Sequence, residues 1–167
     1  MIRCCIFDLD GTLLNTLDAL TYTTNLTLQE FGYGPVDPEH IKQFVGDGYR
    51  MQVKRALQYS GDKELLHYEE ALSAYTRLFA EHCLYHVRPY EGIPELLQEL
   101  KAQGIHIAVL SNKPHARTVE NIEAVFGKGY FDIVAGQKDD VPKKPDPAGV
   151  NRILEEFGCK PEECLYF

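Results

Sequence analysis

Residues 4–12, Cys4-Cys5-Ile6-Phe7-Asp8-Leu9-Asp10-Gly11-Thr12, form an apolar run that ends in two carboxylates and a turn. Four successive apolar positions before Asp8 predict a strand buried on both faces at the centre of a parallel sheet. Side chains two apart in a strand share a face, so Asp8 and Asp10, at or just past its end, reach one small space. Gly11 permits a sharp turn, and Thr12 and Leu13 lead into a helix-like segment. Two like charges that close need a cation between them, a shared proton, or different tasks. One acid can serve as a nucleophile while the other moves a proton. The same pair also reads as a turn with a helix cap, so the rest of the chain has to decide.

Outward from that strand, the pattern is helical. Leu14, Leu17, Leu28 and Phe31 lie near helical spacing, and Gly32 with Gly34-Pro35 closes that segment. Pro38 starts a short helix that Gly46-Asp47-Gly48 breaks; further helices are predicted over 49–59 and 63–83, the latter with Leu65, Leu72, Tyr75 and Phe79 on one stripe. The stretch 14–85 thus reads as helical throughout, without a strand. From Val87 the style changes. After the linker-like turn at 88–92, Pro94 opens a helix, 105–110 is a strand followed at once by Ser111-Asn112, and a helix covers 114–126. A strand at 133–135, a helix over 147–157 and the apolar run 164–167 complete the series. Strands alternating with helices indicate parallel βαβ units. The expected fold class is α/β: a Rossmann-like parallel sheet core over 1–13 and 88–167, with a small α-helical cap inserted at 14–87. In such sheets ligands bind beyond the carboxyl ends of the strands. Asp8 and Asp10, Ser111 and Asn112, and the loop carrying Lys143-Lys144-Pro145 all fall there.

Composition narrows the classes. The chain has 167 residues, 44% hydrophobic and 25% charged, as in an ordinary globular protein with a real core. Its formal charge of −8 argues against general nucleic-acid binding. No apolar run approaches the roughly 20 residues of a membrane span, and the N-terminus lacks a leader pattern, so the expected compartment is the cytosol and no membrane partner is expected. Cys4, Cys5, Cys83, Cys159 and Cys164 include no CxxC pair and read as buried thiols rather than a disulfide framework. Oligomeric state is left open.

Ser111 and Asn112 offer a hydroxyl, an amide and backbone N–H groups before a helix whose N-terminus favours an anion, and they also make an ordinary helix cap. Lys144 can neutralise a phosphate and a nucleophile together, or be a solvated loop lysine. The order of these parts carries more than each alone. A strand ending in DxDGT, a later strand ending in Ser-Asn, and Lys-Pro before a helix resemble the haloacid dehalogenase superfamily over nearly the whole chain. Within it, Phe44-Val45-Gly46-Asp47-Gly48-Tyr49 resembles the cap loop of phosphoglycolate phosphatase-like members.

The resemblance implies a phosphatase acting on a small phosphorylated metabolite, phosphoglycolate first, with Asp8 as nucleophile and Asp10 as general acid/base. It implies phosphoryl binding by Thr12, Ser111, Asn112 and Lys144, and a Mg²⁺ ion held by the Asp8 carboxylate and the Asp10 backbone carbonyl. A cap hinged near 12–16 and 87–90 would select substrate. The resemblance departs at the other end: in the family, the strand corresponding to 164–167 runs into a Gly-Asp sequence whose acids complete the metal site. Here the sequence ends at Phe167, so the C-terminal part of the core is expected to be missing, Mg²⁺ to be weakly held, and a sheet edge to be open to self-association. A phosphomutase of the same superfamily and a non-catalytic member that binds a phosphorylated ligand or a protein partner are the competing readings.

The remaining polar residues are expected to be structural. His82 and His86 lie one turn apart without a third ligand nearby and read as helix surface. Asp139 and Asp140 read as a solvated loop. Lys113, His115 and Arg117 form a basic patch, either steering an anion or, on the simpler reading, forming a solvated helix face.

Overall fold

The computed structural model describes residues 1–167. It divides into two compact units: Met1–Asn15 with Arg88–Phe167, and Thr16–Val87. Strand β1 (Cys4–Phe7) is followed by a turn and the two-residue β2 (Leu14–Asn15). Then come four helices, α1 (Leu17–Glu30), α2 (Pro38–Phe44), α3 (Tyr49–Ser60) and α4 (Tyr68–His82). The chain re-enters the first unit through β3 (Arg88–Pro89), and α5 (Ile93–Ala102), β4 (His106–Pro114), α6 (His115–Phe126), β5 (Ile133–Gln137), α7 (Ala148–Phe157) and β6 (Cys164–Tyr166) follow.

The first unit is organised by a four-stranded sheet in the order β5-β4-β1-β6, with every pairing parallel. The expected α/β class and parallel core are borne out. No residue of β1 is more than 1% exposed, which is what a run of four apolar side chains achieves when layers cover both faces of its sheet. Ile153 of α7 packs on Ile6, Ala108 and Leu110 on one of those faces. Because β4 and β5 lie on one side of β1 and β6 on the other, the strand order reverses beside β1. That is where an open parallel sheet forms its ligand crevice.

The helical unit has its own core, in which Leu20, Leu28, Ile41, Leu57, Tyr75 and Phe79 meet. Within it Gln52 Nε2 donates to Thr24 Oγ1 at 2.9 Å, and Thr24 in turn donates to the Leu20 carbonyl at 2.7 Å. Asp37 caps α2, with Pro38 at its first turn.

Three local readings need correction. Helix α1 begins at Leu17 rather than at 13, because the N–H groups of Thr12, Leu13 and Leu14 all donate to the Leu9 carbonyl in a tight turn. Residues 14–15 and 88–89, expected as helix and linker, are antiparallel partners, Leu14 with Pro89 and Asn15 with Arg88. Helix α4 begins at Tyr68 rather than near 63: the Asp62 carboxylate accepts from the N–H groups of Leu66 and His67, and Leu65 takes a left-handed φ of 58° between them.

Strand β4 also runs further than expected, through Pro114. It bulges on the way, since its register with β5 shifts between Leu110 and Pro114. Gly136 lies against that bulge. A Cβ there would stand 2.5 Å from Thr118 Oγ1, 2.6 Å from the His115 Cα and 2.9 Å from the Lys113 carbonyl oxygen, and two of these are backbone atoms. Gly136→Ala is therefore expected to destabilise the fold by about 1–3 kcal/mol and to lower the melting temperature by roughly 3–10 °C. A thermal melt that stays within 1 °C of wild type would show that the bulge relaxes freely.

Candidate active site

Everything placed at the crevice belongs to the sheet unit. Asp8 directly follows β1; Leu9, between the acids, is fully buried, which turns both carboxylates the other way. The turn beyond is closed by the Gly11 N–H donating to the Leu14 carbonyl at 3.0 Å, with Gly11 at a left-handed φ of 81° that favours glycine. Thr12 sits half-buried in this turn, two residues past the second acid.

Each carboxylate has its own ammonium. Lys144 Nζ lies 2.8 Å from Asp8 Oδ1, and Lys113 Nζ lies 2.7 Å from Asp10 Oδ1. Two adjacent negative charges are thereby compensated by two cations brought from separate elements. Asp8 Oδ1 also accepts from the Leu9 N–H at 2.7 Å, which sets its rotamer. Lys144 donates to the Tyr166 hydroxyl as well, at 2.9 Å, so β6 takes part in placing it.

Ser111 and Asn112 lie in the bulged part of β4 and are buried. Ser111 Oγ accepts from the Lys113 N–H at 3.2 Å; a hydroxyl that accepts there retains its own proton to donate. Asn112 grips the Lys144 backbone at both ends, accepting from its N–H at 2.9 Å and donating to its carbonyl at 3.1 Å. Its side chain thus helps to present the lysine. A cavity of about 180 Å³ opens beside Ser111 and Asn112, with Lys138, Lys143 and Arg152 also on its walls. Asp8, Asp10, Ser111, Asn112 and Lys144 come together as one constellation, whose chemistry suits a tetrahedral oxyanion: carboxylate oxygen at one side, cation and N–H donors around it.

The expected basic patch does not exist as a patch. Lys113 is turned inward, its side chain 3% exposed. His115 is half-buried, and its Nδ1 accepts from the Gly136 N–H at 3.2 Å; burial first, and Lys138 next, push its pKa below the ordinary histidine range and favour the neutral ring. Arg117 pairs with Glu120 at 2.6 Å on the helix surface. Sequence reading named Lys113 but missed its inward placement against Asp10, since a bulge breaks the alternation that would show where its side chain points. Asp139 and Asp140 are exposed, and no three His, Cys, Asp or Glu side chains are grouped to cage a metal. All five cysteines are free thiols, with burial, and then Cys164 alongside, raising the Cys4 thiol far above its ordinary range. No helix is long and apolar enough to cross a membrane.

The chain as a whole is similar to known proteins. Residues 5–167 match the haloacid dehalogenase-like hydrolase family. The chain is 34% identical to the phosphoglycolate phosphatase of Thiobacillus denitrificans, over 98% of this chain and 73% of that protein. It is 31% identical to that of Aquifex aeolicus, over 98% and 74%. Among solved structures, a crystal structure described as a predicted phosphoglycolate phosphatase from Haemophilus somnus superposes with a TM-score of 0.91 at 25% identity, covering 99% of this chain and 76% of that one. With the family match running over nearly its whole length, the chain belongs to the haloacid dehalogenase-like hydrolase family.

Proposed function

We propose that the protein is a Mg²⁺-dependent phosphatase that hydrolyses a small phosphorylated metabolite, phosphoglycolate first, through an aspartyl-phosphate intermediate. The observation that carries the reading is the pair of carboxylates at the end of β1, each with its own ammonium, and above all Lys144 at 2.8 Å from Asp8. A phosphoryl group arriving at Asp8 meets Lys144 with its charge already placed, so neutralisation needs little reorganisation. Asp8 attacks phosphorus in line, the P–O bond to the leaving group breaks, and Asp10, which enters this step as the acid with its proton on the oxygen that Lys113 does not hold, gives that proton to the departing oxygen and is left as the carboxylate. Asp10 then accepts a proton from water as that water attacks the phosphorus and releases phosphate from Asp8. Ser111 is assigned to the phosphoryl oxygens, as is Thr12 in the turn; Asn112 contributes by holding Lys144. The helical unit is assigned the role of cap, the module that selects substrate.

The donor chemistry suits magnesium in kind. The Asp8 carboxylate and the Asp10 backbone carbonyl are hard oxygens, and Mg²⁺ characteristically takes one or two carboxylates together with water and substrate phosphate. When bound there it would supply positive charge to the phosphoryl oxygens.

The test is release of inorganic phosphate from 2-phosphoglycolate and other monoesters by the full chain, titrated with MgCl₂. Magnesium-dependent release is the expected result. Transfer of the phosphoryl group back to substrate without release would instead make it a mutase. Thermal stabilisation by the ester with no turnover at saturating MgCl₂ would make it a binding protein.

A further inference from the structure

We propose that Lys113 is a positioning residue for Asp10, locking the carboxyl in the orientation from which it protonates the leaving oxygen; this rests on the phosphatase reading above. The two site lysines occupy different situations. Lys144 is 19% exposed at the crevice and holds Asp8 and Tyr166. The Lys113 side chain is 3% exposed, and its ammonium spans two oxygens, Asp10 Oδ1 at 2.7 Å and Asn121 Oδ1 at 2.9 Å. Lysine is seldom buried to this degree unless it is paired, because desolvating an ammonium is costly. Here the fold sustains that cost.

The fold also fixes the lysine at its root. The Thr118 hydroxyl donates to the Lys113 carbonyl at 3.1 Å, the Lys113 N–H donates to Ser111 Oγ, and Gly136 leaves no space for the segment to shift. The β-bulge in β4 re-aims this stretch of strand, a use bulges commonly have beside active sites. Asn121, on α6 and fully buried, accepts from the ammonium at 2.9 Å and so ties it to a second element. With Oδ1 held by a buried ammonium that is itself bonded to Asn121, rotation of the Asp10 carboxyl about its Cβ–Cγ bond would break a charged hydrogen bond, and this favours one edge facing the reacting oxygen. Proton transfer in the transition state depends on such alignment. Lys144 serves the phosphoryl group; Lys113 serves the acid.

The test compares two substrates that differ in their need for that proton. The alkoxide of 2-phosphoglycolate leaves poorly unless protonated, whereas p-nitrophenolate leaves unaided. Lys113→Met is expected to lower kcat/KM for 2-phosphoglycolate by about 10²-fold, with KM changed by less than about threefold. For p-nitrophenyl phosphate kcat/KM, which covers the steps up to departure of the leaving group and so leaves out the later step in which Asp10 acts as base, is expected to fall by less than about threefold, since no general acid is needed; the two substrates are compared on kcat/KM throughout. Lys113→Arg should restore part of the loss on the alkyl substrate only. Asn121→Ala keeps the Lys113–Asp10 pair but removes its brace, and it supplies the same comparison should Lys113→Met melt early; the alkyl-to-aryl ratio should again fall, by less. Equal losses on both substrates in both variants, or no loss in either, would overturn the proposal. Failure of the phosphatase reading shows separately, as absence of phosphate release from either substrate by the wild-type chain.

Discussion

Asp8→Asn is expected to reduce phosphate release to background, a loss of about 10⁴-fold or more, as removal of an enzyme nucleophile produces. The substitution keeps the shape of the side chain. An amide oxygen can still accept the Leu9 N–H that orients Asp8 now, at 2.7 Å. What disappears is the anionic oxygen that attacks phosphorus. Lys144 loses a formal partner but keeps the Tyr166 hydroxyl, and a pair this exposed, with Asp8 33% accessible, contributes little to stability. The melting temperature is therefore expected to move by only a few degrees while turnover vanishes. Acid-quenching wild type during turnover of a ³²P-labelled ester should trap label on the protein, and the Asn variant should trap none. Turnover above background by folded Asp8→Asn would remove Asp8 as nucleophile and the aspartyl-phosphate route with it.

Asp8 and Asp10 were legible in the sequence because their signal is local. Four apolar residues announce a buried strand, and the step of two from Asp8 to Asp10 places both acids together without knowledge of any partner. The parallel sheet was legible for a related reason, since alternating strand and helix patterns leave few topologies open. The partners of the acids were not. Lys113 meets Asp10 across 103 positions of sequence, and reading it as the start of a helix put it on a solvated face, when β4 continues to Pro114 and bulges. Nothing in the spacing of Ser111, Asn112 and Lys113 reveals a bulge, which is a product of pairing with β5. The ribbon of Leu14–Asn15 with Arg88–Pro89 was hidden in the same way: Leu14 fits a helical stripe with Leu17, and only the distant Pro89 makes it a strand. Asn112 shows the limit most clearly. Its residue type suggested contact with substrate, yet the structure ties it to the backbone of Lys144, 32 positions on.

Lys144→Met is expected to lower kcat/KM by about 10²–10³-fold, the range for losing one preorganised charge aimed at a transition state. The lysine is held in three ways: by Asn112 at its backbone, by Asp8 Oδ1 at 2.8 Å and by the Tyr166 hydroxyl at 2.9 Å. Its ammonium therefore does not have to be recruited when a phosphoryl group arrives, and it sits only 19% exposed, where screening by solvent is reduced. Methionine preserves the length of the side chain and removes the charge, so the loss should fall on kcat and, through weaker binding of the anion, on KM as well. Arginine should rescue poorly, because a planar fork cannot place a point charge against Asp8 and Tyr166 together. Asn112→Ala gives the intermediate case: the ammonium remains but its backbone clamp is gone, and kcat/KM should fall by less than in Lys144→Met. The order wild type, Asn112→Ala, Lys144→Met is what charge held by a clamp requires. A Lys144→Met enzyme within threefold of wild type would show that phosphoryl charge is neutralised elsewhere, and an Asn112→Ala loss exceeding that of Lys144→Met would give Asn112 a direct role with the substrate instead.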